Sequence, residues 1–184
     1  MNVLKPHSRF PTNSVAVFGV GAVGFAALFA AKILNIPQII AVDVKQSRLD
    51  LAVELGAATH VINSSNTSDL DKALMELTGG EGVDMAFDTS GVSSVINTMI
   101  NTLANAGSAC SVAGGPETLA SIPIASFYVR GISYYGAVQG NCVPQDVSLF
   151  LTTFEGFGLR FICTDYFLVC AKIARFLLQR AIPN

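Results

Sequence analysis

The chain has no tryptophan and only two histidines, His7 and His60, among its 184 residues. Its four cysteines, Cys110, Cys142, Cys163 and Cys170, form no C-x-x-C pair. Protein zinc sites draw on Cys and His at short, repeated spacings, and that pattern is missing. Scattered cysteines of this kind read as buried or half-buried free thiols in a reducing compartment, which points to the cytoplasm. Charge is scarce as well. Asp, Glu, Lys and Arg make up 13% of the chain, the net charge is −2, and there is no basic block. A nucleic-acid-binding surface needs a concentrated positive footprint, so that class is excluded. The leading residues, MNVLKPHSRFPTN, contain no apolar core and do not read as a signal peptide. Long uninterrupted apolar runs are also missing. The run 25–36 contains Lys32 and is too short for a bilayer. The run 161–182 is broken by Asp165, Lys172, Arg175 and Arg180, and reads as an amphipathic helix rather than a span.

What is abundant is hydrophobic residues, at 51%. That suits a parallel sheet whose strands are buried on both faces, with some apolar surface left for a partner. The length suits one domain. Along the chain, residues 1–13 read as an irregular lead-in. Strands are expected at 15–18, 38–42, 59–62, 83–87 and 108–112, with a last β region at 132–135. Helices are expected at 23–34, from Ser47 to 55, at 69–77 and at 92–103. Two more are expected from Pro144 to 154 and at 166–180. Ser47 and Ser68 are the expected N-caps. Gly56 occupies a C-terminal left-handed position, Pro37 and the pair Gly79-Gly80 stop helices, and Gly114-Gly115-Pro116 ends a strand. Gly156 and Gly158 break the later helical stretch. Alternating strands and helices predict an α/β fold: a doubly wound parallel sheet in a three-layer αβα arrangement. The expected organisation is a lead-in at 1–13, a nucleotide-binding domain at 14–160 and a C-terminal helical segment at 161–184.

The stretch VAVFGVGAVG at 15–24 carries the chemistry. A strand-like run feeds into G-x-G-x-x-G, formed by Gly19, Gly21 and Gly24, and a helix-like run follows. The run IIAVD then closes on Asp43, 19 residues beyond Gly24. This order is the dinucleotide-binding fingerprint. Gly19 permits the tight turn, Gly21 lets the backbone approach a pyrophosphate, and Gly24 lets helix and strand pack closely. The pyrophosphate sits on the helix N-terminus, and Asp43 accepts hydrogen bonds from the adenosine ribose. The competing reading is an ordinary strand–turn–helix crossover with a solvated Asp43.

Further segments extend the match. GVGAVGFAALFAAKI, AVDVKQSRLDLAVELGAATHVIN, LTGGEGVDMAFDTSG and SVAGG, in that order, resemble the medium-chain, zinc-type alcohol dehydrogenase family, and within it the aryl- or benzyl-alcohol branch. The resemblance implies a Rossmann cofactor domain and hydride transfer between an alcohol or aldehyde and NAD. It implies that Asp43 selects NAD over NADP and that Arg48 lies beside the adenosine half. It assigns Gly21, Ala22, Val23 and Gly24 to the pyrophosphate turn. Thr89, Ser90 and Gly91 fall to the loop after strand 4, and Val112, Ala113 and Gly114 to the loop after strand 5. Ala137, Val138 and Gln139 match the segment near the carboxamide. Plain alternatives stand beside these: Thr89 and Ser90 as helix caps, Val112 and Val138 as core, Arg48 as a solvated charge. The family's zinc ligands belong largely to another domain. Zinc is therefore expected in a full-length parent and not in this chain, which is expected to bind NAD without oxidising alcohols alone. A homodimer is expected through the sheet edge, at segments 120–125 (ASIPIA) and 130–136 (RGISYYG). The alternatives are a stand-alone nucleotide-sensing module, an NADPH-dependent quinone or enoyl reductase, and, more remotely, a methyltransferase.

Overall fold

The computed structural model describes residues 13–114 and 119–137. Expectations for 1–12, Gly115 and Pro116, Val138 and Gln139, and everything beyond, including the helices from Pro144 and at 166–180, lie outside the described residues.

Six strands form one parallel sheet: β1 (Ser14–Phe18), β2 (Gln38–Asp43), β3 (His60–Asn63), β4 (Val83–Asp88), β5 (Leu103–Ser111) and β6 (Ser133–Gly136). The helices between them are α1 (Ala22–Ile33), α2 (Gln46–Glu54), α3 (Leu70–Leu77), α4 (Ser93–Thr102) and α5 (Ile124–Arg130). The spatial order is β3-β2-β1-β4-β5-β6. This is the doubly wound Rossmann order, in which the winding direction reverses between β1 and β4.

Residue alternation explains the three layers. Successive side chains on a strand point to opposite faces. Val15, Val17, Ile39, Ala41, Met85 and Phe87 point to one face and pack with Ala27, Leu28 and Ala31 of α1 and with Leu49 and Ala52 of α2. Ala16, Phe18, Ile40, Val42 and Ala86 point to the other face and pack with Leu74 of α3 and with Ile96, Met99 and Ile100 of α4. Strands β1 and β4 are buried along their whole length, as an apolar two-sided strand must be. In α1 every residue from Ala26 to Ala31 is buried. Its small side chains let the helix lie close to the sheet. Pro37 follows the end of α1, and Gly56, at φ +58, takes the expected left-handed position after α2.

Several boundaries differ from the sequence reading. Helix α2 starts at Gln46 with Lys45 at its cap and no side-chain cap bond, so Ser47 lies inside the first turn. The backbone there is held instead by Asp43, whose Oδ1 accepts from the Lys45 N–H at 2.8 Å. Asp69, not Ser68, caps α3, accepting from the Lys72 N–H at 2.9 Å. A carboxylate is the stronger acceptor for that terminus. Strand β5 begins at Leu103, directly after α4, and continues through Ala106 at φ +60 with a register shift against β4. That irregular start is invisible to a period-two pattern. The segment 120–125, read as part of a sheet edge, leads into helix α5. Pro123 stands at its N-cap and Gly131 ends it in the left-handed region at φ +64. The Arg130 guanidinium donates to the carbonyls of Ile100 and Leu103 and so ties α5 to the end of α4.

Candidate functional site

The site gathers at the carboxyl ends of β1, β2, β4 and β5. Between β1 and α1 the glycine turn is built by contact. A β-carbon on Gly24 would lie 1.9 Å from the Gly19 carbonyl oxygen, so only glycine fits. Gly19 has φ +86 and donates its N–H to the Val42 carbonyl at 2.8 Å. Gly21 is different. Its φ is −85, and nothing in the protein lies within 4 Å of where its β-carbon would be. The fold itself therefore makes no demand for glycine at 21, and the open space above it is left for something else. Gly21 is also the N-cap of α1, with no side-chain cap bond and no acid in the first turn. The N–H groups of Ala22, Val23 and Gly24 lie in that first turn, where backbone donors lack intrahelical partners. Such a terminus accommodates an anion.

Asp43 ends β2 beside this turn and is 5% exposed. Its Oδ2 accepts from the Val20 N–H at 2.6 Å and from Arg48 Nη1 at 3.3 Å. Its Oδ1 accepts from the Lys45 N–H. Burial pushes the Asp43 carboxyl upward. The N–H groups of Lys45 and Val20, together with the Arg48 guanidinium, outweigh that and hold it below its ordinary value. Two oxygens offer about four acceptor positions, and three are engaged, so one remains for a ligand hydroxyl. The sequence pattern gave Asp43 a role toward the ribose; the fold adds that it braces the glycine turn through Val20.

The β4 loop faces the turn from the other side. Thr89 donates its hydroxyl to the carbonyl oxygens of Gly19 at 2.6 Å and Phe18 at 3.2 Å, which clamps the turn rather than capping a helix. Ser90 donates its hydroxyl to Asp88 at 2.7 Å and accepts weakly from the Val92 N–H at 3.3 Å. Gly91, at φ +71, lies so close to the β5 loop that a β-carbon would meet the Gly114 nitrogen at 3.0 Å. Val112 donates its N–H to the Asp88 carbonyl and Ala137 donates its N–H to the Ser111 carbonyl, each at 2.9 Å.

Gly19, Gly21, Asp43, Arg48, Thr89 and Ser90 line a single cleft of about 630 Å³. Ala22, Val23 and Gly24 lie in the adjoining first turn of α1. Gly91, Val112, Ala113, Gly114 and Ala137 sit beyond the cleft lining, toward β5 and β6. The cleft also has walls that sequence reasoning did not assign: Val44, the loop residues Ser64, Thr67 and Ser68, then Leu70, and Val92, Ser94, Val95 and Thr98 at the start of α4. Their signal was positional, since segments that follow strand ends in a parallel sheet border its ligand crevice. Asp88, fully buried at the end of β4, was likewise passed over. The cleft volume, the uncapped helix terminus, the open space at Gly21 and the remaining acceptor on Asp43 together fit a dinucleotide. Among the described residues no group of three His, Cys, Asp or Glu side chains comes together to hold a metal ion. None of their helices is long and apolar enough to cross a membrane.

Strand order, glycine turn and strand-end acid define a Rossmann-type domain of the dinucleotide-binding kind. A family model described as zinc-binding dehydrogenase matches residues 22–155, and the chain belongs to that family. It is 31% identical over 128 residues to L-idonate 5-dehydrogenase of Vitis vinifera, covering 68% of this chain and 35% of that protein. An alcohol dehydrogenase zinc-binding domain protein from Burkholderia ambifaria has a crystal structure that is 40% identical at a TM-score of 0.70. That match covers 80% of this chain and 40% of the other. Benzyl alcohol dehydrogenase from Acinetobacter calcoaceticus is 33% identical at a TM-score of 0.69, over 80% of this chain and 42% of that one. The chain spans about a third of the length of the curated relatives it matches.

Proposed function

We propose that this chain binds NAD(H) in the cleft and is the cofactor-binding part of an alcohol-dehydrogenase-like oxidoreductase, which moves a hydride between an alcohol or aldehyde and NAD. An aromatic alcohol is the favoured substrate class, supported by the likeness to a benzyl alcohol dehydrogenase. The observation that carries the reading is the pairing of Asp43 with the open glycine position beside it. The nicotinamide gives or accepts the hydride; the protein supplies position and electrostatics. The first turn of α1 receives the pyrophosphate, with Gly21 leaving room for its approach. Asp43 receives a ribose hydroxyl, and Arg48 stands beside the adenosine half. Thr89 holds the turn in place, Ser90 and Gly91 lie along the cofactor, and Val112, Ala113, Gly114 and Ala137 border the nicotinamide half, a role extended by the family likeness to Val138 and Gln139.

A buried carboxylate at the ribose repels a 2′-phosphate, which favours NAD over NADP. The competing NADP-type reductase reading draws on Arg48, whose guanidinium is half-exposed at the same place, and on Lys45. Calorimetric titration separates them. NAD is expected to bind at least about tenfold more tightly than NADP, a difference of about 1.4 kcal/mol. Tighter NADP binding establishes the reductase reading instead.

We also propose that two copies pair through β6. It stands last in the order of the described strands. Ile124, Tyr128 and Val129 of the preceding helix are exposed. A terminal strand with apolar neighbours is a surface suited to pairing with a second copy.

A further inference from the structure

We propose that Asn63 is a positioning residue that holds one wall of the cleft beside Asp43 and so sets the affinity for the adenosine half of the cofactor. The inference rests on the NAD reading above. Asn63 ends β3 and stands in register with Asp43, which ends β2. Asp43 lines the cleft. Asn63 does not, but Ser64, Thr67 and Ser68, which follow it, do.

Both ends of the Asn63 amide are engaged. Its Oδ1 accepts from the Ser65 N–H at 3.0 Å, which turns the chain back at the strand end. Its Nδ2 donates to Gln46 Oε1 at 2.9 Å. A backbone N–H can only donate, so the bond from Ser65 fixes which amide atom is the oxygen. The Asn63 carbonyl accepts from the Asn66 N–H at 3.1 Å and from the Thr67 hydroxyl at 2.8 Å. Gln46 opens α2, the helix that carries Arg48, and is itself oriented by donating Nε2 to Asp50 at 2.8 Å. The Ser65 hydroxyl adds a second tie by donating to the Val44 carbonyl at 3.2 Å.

These bonds join the connections that follow two neighbouring strands. Asp43, Val44 and Arg48 line the cleft from one connection, and Ser64, Thr67 and Ser68 line it from the other. Ser65, Asn66 and Ser68 are exposed, so the second connection has little buried surface to hold it. The Asn63 bonds supply the order that packing does not. A ligand that meets a wall already in place does not bear the cost of ordering it. With a ribose hydroxyl on Asp43, the part of the cofactor against this wall is the adenosine half. NAD and AMP share that half, so a loosened wall weakens both by the same factor.

Fragment binding tests this on the full 184-residue chain. Calorimetric titrations with NAD and with AMP compare wild type, Asn63→Ala and Asn63→Asp. Asn63→Ala is expected to weaken NAD and AMP alike, each by about fivefold. Asn63→Asp keeps an acceptor for the Ser65 N–H, so it is expected to restore most of both affinities in about 0.5 M salt, which screens the added charge. Should Asn63→Ala fail to fold, the double variant Gln46→Ala, Ser65→Ala cuts both ties to the β2 side without touching a residue that lines the cleft, and is expected to show the same parallel loss. Unchanged AMP binding by Asn63→Ala, a loss confined to NAD, or no rescue by Asn63→Asp would overturn the proposal while the NAD reading stands. If wild type binds neither nucleotide, the NAD reading fails and this inference falls with it.

Discussion

Gly21 and Gly24 stand three residues apart in one motif, yet the fold needs only one of them. A methyl group at 24 collides with the backbone of Gly19, whereas a methyl group at 21 meets nothing. Gly24→Ala is therefore expected to cost at least about 2 kcal/mol in urea unfolding, and Gly21→Ala to stay within about 0.5 kcal/mol of wild type. If Gly21 is reserved for a pyrophosphate, Gly21→Ala nonetheless loses NAD affinity; stable protein with intact NAD binding would remove that role. Asp43 makes a prediction in pH. Its folded-state pKa lies below the ordinary 3.8, because the N–H groups of Lys45 and Val20 and the Arg48 guanidinium overcome burial. The stability it contributes is full above the unfolded value and is lost as pH falls through the folded one. The stability difference between wild type and Asp43→Asn should shrink below about pH 4. A difference that is constant from neutral to acid pH would show that the carboxylate is not held in this way.

At the scale of elements, the apolar runs of β1, β2 and β4 were legible because both their faces are buried and every residue in them must be apolar or paired. The glycine turn was legible because its spacing encodes contact geometry. Helix α5 was not. Its seven residues, IASFYVR, bury none of their number and carry no apolar stripe to mark a helix, so the segment was assigned no element. The start of β5 was hidden by a left-handed alanine, which no periodicity signals. Ser68 drew notice only as an expected cap, although the place of Ser64, Thr67 and Ser68 after β3 makes them a cleft wall. The same elements bear on assembly. If the outer side of β6 joins a second copy, sedimentation velocity over a range of concentrations will show a dimer that dissociates on dilution or stays intact. A monomer at every concentration would rule out that pairing.

For the whole molecule, the decisive property is that the sheet reverses its winding between β1 and β4. Crossover helices leave the strand ends on opposite faces there, and a crevice opens between them. The glycine turn, Asp43, Thr89 and Ser90 all border that crevice. Membership of the zinc-binding dehydrogenase family is consistent with this architecture. The most direct measurement is a crystal structure of the chain grown with NAD. The pyrophosphate should sit within about 3 Å of the N–H groups that open α1, with the adenosine ribose on Asp43 and the nicotinamide toward the β5 loop. A nucleotide bound elsewhere, or one whose ribose avoids Asp43, would contradict the account.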